Sequence, residues 1–213
     1  TLIGAHLGEN MHNTQVQEFA DAVDRGVDLV VVDPRFSVAA SKARHWLPIK
    51  PGTDVALLLA WIHVLIEEKL YDVDTVKNQT IGFDKLAKHV KDKTPQWASV
   101  RTGLPAQQIA DSIRTIAGAR PQSLIYPGRR ATWYGNDTGR THLMAVLAGL
   151  LGSWGRLGGY IMPTKMAVPK LKTPKYPKSK LPADQPKGNP YPLSGETLAN
   201  GLCDAAIPGT ADY

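Results

Sequence analysis

Cysteine is almost absent from this chain: Cys203 stands alone among 213 residues. A lone cysteine excludes an internal disulfide and any cysteine-built metal cluster within the chain, and it leaves the redox compartment unmarked. Its context, "GLCDAA", supplies no base to lower its pKa, so it reads as a structural or idle thiol rather than a nucleophile. Long apolar runs are missing too. The longest, Val55 to Ile66, has 12 residues and is broken by His63, which is too short for a bilayer span and suits a buried helix. No G-x-G-x-x-G follows the first apolar run, where "GAHLGEN" stands instead, and no G-x-x-x-x-G-K-[ST] occurs anywhere. Both absences weigh against the commonest nucleotide sites. The six histidines are dispersed without metal-ligand spacing. There is no initiator methionine and no signal peptide, and "TLIGAHL" opens directly on a core-like strand, so the chain reads as a piece of a longer polypeptide.

What is present is the composition of a globular protein, with 43% hydrophobic and 21% charged residues. The formal charge of +6 and the pI near 9.4 invite a nucleic-acid reading. The distribution argues against it. Residues 163–192 hold seven lysines, one aspartate and eight prolines, which accounts for the whole positive excess. Prolines at that density keep backbone out of regular ladders, so this segment is expected to be an extended, solvated strap.

Periodicity organises the rest. "TLIGAHL" and "DLVVVD" read as strands flanking a helix from Asn13 to Arg25, with Gly26 at its end. The second strand is apolar on both faces, as a parallel strand covered from both sides must be. Residues 55–120 read as a mainly helical block: a buried helix over 55–69, an amphipathic segment near 82–91, and another over 105–119 with Pro105 at its first position. "QSLIY" (122–126) is a third strand, and a helix over 140–151 ends in "GSWGRLGG". The fold class is therefore α/β: a three-layer αβα domain with a mainly parallel, Rossmann-like sheet over residues 1–162. A Pro/Lys-rich strap over 163–192 and a C-terminal extension over 193–213 follow it.

In open parallel sheets ligands lie beyond the C-terminal ends of the strands. Three such ends carry polar or glycine residues: "HLGENMHN" (6–13), "DPRFS" (33–37) and "PGRRATW" (127–133). Asp33 suits ribose hydroxyls and Arg35 suits phosphate oxygens, although a loop cap or local salt bridge would serve equally for either. Asp54, after Pro51-Gly52-Thr53, has two readings: an N-cap for the following helix, or a carboxylate accepting the N1–H and N2–H donors of guanine. Pattern alone favours the cap. His63, within an apolar helix, reads as a satisfied core histidine, and His45 is placed in a loop.

Residues 30–72, "VVVDPRFSVAASKARHWLPIKPGTDVALLLAWIHVLIEEKLYD", together with the later "GLLGSWGRLGG", closely resemble catalytic subunits of the molybdopterin oxidoreductases, the dimethyl sulfoxide reductase family. "GAHLGENMHN" and "YPGRRATWYGND" resemble the polysulfide and thiosulfate reductase-like branch. The resemblance implies a bis-molybdopterin guanine dinucleotide cofactor with molybdenum, one guanine dinucleotide being held by the loops matched here. His6, Glu9 and Asn10, with Asp33, Pro34 and Arg35, would contact ribose and phosphates. Gly52 and Asp54 would frame the guanine, which moves Asp54 from cap to base reader. Gly128 would belong to the same lining, and Arg129 and Arg130 would face the molybdenum side and steer an anionic sulfur substrate.

The resemblance further implies a 4Fe-4S cluster in a region before Thr1, an iron–sulfur electron-transfer subunit and a membrane anchor subunit as partners, no nucleic acid, and anaerobic respiration at the periplasmic or extracytoplasmic face of the membrane. It departs from the family in lacking the cluster cysteines, a molybdenum-ligating cysteine and a closing C-terminal domain, so this piece alone is not expected to catalyse. Two other classes compete: a non-catalytic scaffold domain of a related iron–sulfur respiratory subunit, and a free-standing nucleotide-binding module.

Overall fold

The computed structural model describes residues 1–5, 7, 13–128, 137–161 and 164. The chain divides into two units, Thr1–Thr164 and Lys165–Tyr213, and the description concerns the first. The expectations for the strap and the C-terminal extension lie outside the described residues, apart from Thr164. In chain order the elements are β1 (Leu2–Ile3), α1 (Asn13–Asp24), β2 (Val30–Val32), α2 (Val38–Ser41), β3 (His45–Leu47), α3 (Asp54–Glu67), α4 (Val73–Gln79), α5 (Phe83–Val90), α6 (Pro95–Thr102), α7 (Ala106–Gly118), β4 (Tyr126–Pro127) and α8 (Asp137–Leu150).

The four strands form one sheet in the order β3-β2-β1-β4, and every pair is parallel. Alternation along these short strands splits the core into two layers. Leu2 and Val31, which are register partners, face a cluster completed by Phe19 of α1 and Ala39 and Ala40 of α2. Ile3, Val30, Val32 and Leu47 face the larger cluster built by α3, α7 and α8. This is the three-layer α/β architecture that the apolar second strand called for.

At the centre of the larger layer lies α3, packed against α5, α6, α7 and α8. It is apolar around its whole circumference, with nine buried residues between Ala56 and Leu65, as a helix surrounded by others must be. Trp61 is fully buried, and its indole N–H donates to Ile109 O and to Ser112 Oγ at 3.2 and 3.0 Å. His63 bonds Val90 O through Nδ1 at 2.9 Å, which makes it the satisfied histidine expected.

Four sequence expectations need correction. His45 lies in an edge strand rather than a loop, and its Nε2 meets Thr115 Oγ1 at 2.9 Å. The strand escaped notice because three residues, one charged neighbour and Pro48 leave no alternation to read. Pro105 stands at the N-cap of α7 rather than one position inside it. Asp54 is not a cap: Thr53 occupies that position and Asp54 lies in the first turn. The short helices α2, α4 and α6 were not foreseen, although Thr94 followed by Pro95 is a legible helix start, and the Thr94 hydroxyl accepts from Trp97 N.

Two segments that carried the family resemblance meet in space. Asp72, at the end of "EEKLYD", caps α4 by accepting from Thr75 N at 2.7 Å, and its own N–H donates to Leu150 O. Arg156, in "GSWGRLGG", donates to Asp72 Oδ2 at 3.2 Å. A Cβ on Gly152 would lie 2.8 Å from the Asp72 carboxyl carbon, so only glycine leaves room for that carboxylate. Beyond it, Trp154 stacks on Tyr160 at 4.5 Å and the Tyr160 hydroxyl donates to Ile125 O. Burial pushes the Tyr160 phenol up to about 12.

Candidate functional site

Because all strands run parallel, their C-terminal ends share one edge. The order β3-β2-β1-β4 puts the topological switch between β1 and β4: the chain steps outward from β1 to β2 to β3, then returns to the other side of β1. A crevice opens at such a switch point. Gly128 stands at it. Its N–H donates to Ile3 O at 2.7 Å, while Gly4 N donates to Val32 O at 2.9 Å, so the ends of β4, β1 and β2 are laced together. A Cβ on Gly128 would fall 2.7 Å from Ile3 O and still deeper within contact distance of the Gly4 carbonyl. The position admits no side chain.

At the end of β2, Asp33 is 7% exposed, and its Oδ1 accepts from Arg35 N at 2.8 Å, closing an Asx turn over Pro34. The indole N–H of Trp46, in β3, donates to Asp33 O, which fixes the turn from the neighbouring strand. One carboxylate oxygen of Asp33 therefore serves its own loop, as the bland alternative supposed. Arg35 is exposed at the same edge.

The unforeseen strand β3 explains Asp54. Its end leads through Ile49 into a turn, Lys50 to Thr53, closed by Thr53 N donating to Lys50 O at 3.3 Å. Pro51 takes the second position and Gly52 the third, with φ +81°, as a type II turn requires. The Thr53 hydroxyl donates back to Lys50 O at 2.6 Å, and Thr53 makes no side-chain cap bond to the helix. Asp54 thus enters α3 at a fourth strand end, on the edge that carries Asp33 and Gly128. Its negative charge suits the helix N-terminus.

Asp54 also has a partner that the sequence reading missed. Arg140, in the first turns of α8, donates through Nη1 to Asp54 Oδ2 at 3.3 Å, and the side chains are 6% and 14% exposed. An arginine near a helix N-terminus opposes the helix dipole, and that misfit was the signal available. Of the residues proposed from sequence, Asp33, Pro34, Arg35, Gly52, Asp54 and Gly128 thus lie along one edge of the sheet. His6, Glu9, Asn10, Arg129 and Arg130 lie outside the described residues. Among the described residues no three His, Cys, Asp or Glu side chains gather as a metal site, and no helix is long and apolar enough to cross a membrane.

A parallel α/β sheet with helices on both faces defines the class of doubly wound domains. The particular family follows from comparison with known proteins: residues 1–189 match the molybdopterin oxidoreductase family, and the chain belongs to it. It is 38% identical over 156 residues to the thiosulfate reductase molybdopterin-containing subunit of Salmonella typhimurium, covering 73% of this chain and 21% of that protein. It is 32% identical over 164 residues to an F420-dependent formate dehydrogenase subunit alpha of Methanocaldococcus jannaschii, covering 77% of this chain and 24% of that one. Among solved structures, the acetylene hydratase of Pelobacter acetylenicus matches with a TM-score of 0.64 and 33% identity, over 72% of this chain and 21% of its own. The chain spans about a fifth to a quarter of the length of these relatives.

Proposed function

We propose that this chain is an internal domain of a larger molybdopterin-dependent catalytic subunit and holds one guanine dinucleotide of a bis-molybdopterin guanine dinucleotide cofactor. The observation that carries the reading is that Asp33, Arg35, the Gly52 turn and Asp54 follow strands whose C-terminal ends share one edge of the parallel sheet. The donor set suits a dinucleotide. Carboxylates accept from ribose hydroxyls and from the guanine N1–H and N2–H, a guanidinium forks onto phosphate, and helix N-termini favour the pyrophosphate. At Gly52 an added Cβ would meet nothing within 4 Å, so the turn itself is not crowded. When bound, the molybdenum–pterin group supplies the redox chemistry, while the residues here bind and orient its nucleotide end.

In this reading the whole subunit reduces an oxidised sulfur compound of the polysulfide, thiosulfate or tetrathionate type. The relationship to a thiosulfate reductase subunit supports that substrate class. The names of other relatives include a dehydrogenase and a hydratase, so related domains accompany different chemistries. A 4Fe-4S cluster elsewhere in the subunit, an iron–sulfur partner, a membrane anchor and a periplasmic location belong to the same proposal. The scaffold alternative has less need of buried or half-buried charges at this edge.

The test is best made on the ligand. Asp54→Asn would remove the buried carboxylate charge that Arg140 faces and destabilise the protein for reasons unrelated to guanine. Hypoxanthine lacks the 2-amino donor of guanine, and adenine lacks both donors. Calorimetric titration of the cofactor-free intact subunit should give GDP binding on the order of tenfold or more tighter than IDP, with ADP weaker still. Equal affinities for GDP, IDP and ADP would refute base reading at this edge.

A further inference from the structure

We infer that Arg140 is a positioning residue for base recognition: its guanidinium fixes the Asp54 carboxylate so that both oxygens present to the guanine edge. The inference rests on the proposed guanine site and adds to it a residue on another element. Three observations carry it. The contact joins the first turns of two helices, α3 after β3 and α8 after β4, so it spans the switch-point edge. Both side chains are largely buried, Arg140 at 6% and Asp54 at 14% exposure. Arg140 also stands in the first turns of α8, against the local helix dipole.

Packing between α3 and α8 has its own apolar means, with Leu57 and Leu58 in one cluster with Met144 and Leu147. A buried ion pair adds little to such an interface compared with apolar residues of similar size. A recognition role accounts for it better. Reading two parallel N–H donors requires a carboxylate whose plane does not turn about its terminal bond, and that torsion is soft. A guanidinium bonded to Oδ2 from inside the protein holds the plane while leaving the remaining lone pairs for the base. Lysine would supply the charge on a flexible stem, without a rigid planar group to hold that orientation.

The experiment uses the cofactor-free intact subunit, titrated with GDP and with IDP, in wild-type, Arg140→Met, Arg140→Lys and Asp54→Ala forms, alongside thermal melting. The expected result is a GDP-to-IDP affinity ratio that falls roughly tenfold in Arg140→Met, mostly through GDP, and lies in between for Arg140→Lys. A lowered melting temperature with the wild-type ratio retained in either Arg140 variant would overturn the inference, because a purely structural pair moves stability and leaves discrimination alone. Should Arg140→Met fail to fold, Arg140→Lys decides by the same ratio. Failure of the underlying reading looks different: wild type itself would then show no preference for GDP. A preference that vanishes in Asp54→Ala and survives in the Arg140 variants would overturn the positioning role alone.

Discussion

Replacing Gly128 by alanine inserts a single methyl group where three strand ends are laced together. The new Cβ would stand 2.7 Å from Ile3 O and closer to the Gly4 carbonyl, both backbone atoms that cannot swing aside as a side chain tip does. Relief requires β1 and β4 to part by about an ångström, which stretches the 2.7 Å bond from Gly128 N to Ile3 O and loads the 2.9 Å bond from Gly4 N to Val32 O. Overpacking of this kind costs about 1–3 kcal/mol, and a weakened buried backbone bond adds about 1 kcal/mol. A total of about 3 kcal/mol corresponds to a melting temperature lowered by about 6–12 °C for a chain of this size. Thermal unfolding followed by circular dichroism reads the loss, and hydrogen exchange at Gly4 and Gly128 locates it. Gly149→Ala is the internal control: it lies in α8, its Cβ would meet nothing within 4 Å, and alanine is the better helix former. It should hold or slightly raise stability. Equal melting temperatures and exchange rates for Gly128→Ala and wild type would refute the close approach of β1 and β4.

Two further outcomes follow from the core and from the Asp72 contact. Trp61→Phe deletes the indole donor to Ile109 O and Ser112 Oγ and leaves a void in the centre of the helical layer. Urea unfolding should show a loss of about 2–4 kcal/mol, and a loss below 1 kcal/mol would mean that α3 is not held as described. The Thr75 backbone N–H first, then the Thr75 hydroxyl and the Arg156 guanidinium, hold the Asp72 carboxyl below its ordinary value of 3.8 against the opposing effect of burial. Folding lowers this pKa, so the stabilisation is complete above 3.8 and is lost as pH falls through the lowered value. Asp72→Asn keeps a capping oxygen but has no proton to gain, so its melting temperature should fall less steeply with acid than that of wild type. Parallel acid limbs would count against the contact.

Periodicity made the broad fold legible. Val30 to Val32, apolar on both faces, could only be a covered parallel strand, and the unbroken apolar circumference of α3 could only be a buried helix. What stayed hidden was set by tertiary contact. His45–Leu47 becomes a strand because β2 offers it a ladder, and nothing in "ARHWLP" says so. The site was half legible for the same reason. Asp33 and Arg35 follow an obvious strand, whereas Asp54 joins the site only through the hidden one. Thr53 rather than Asp54 stands at the N-cap because the Lys50–Thr53 turn sets where the helix begins, and that turn is closed by Thr53 N and Oγ1 on Lys50 O. Arg140, 86 residues beyond Asp54, could be suspected from its misfit at a helix start but not assigned a partner.

The order of the sheet also has a consequence for how the chain comes to be folded. Of the four strands β1 comes earliest in this chain and lies inside the sheet, yet its two neighbours are far apart in sequence: β2 follows after one short crossover, and β4 only at Tyr126. Until then Leu2 and Ile3 present an unsatisfied inner edge, beside an α3 whose apolar surface still waits for α7 and α8. Long-range parallel pairing of this sort is slow to nucleate and exposes surfaces that invite aggregation. The sheet is therefore completed by its last strand in sequence, β4, rather than by its first.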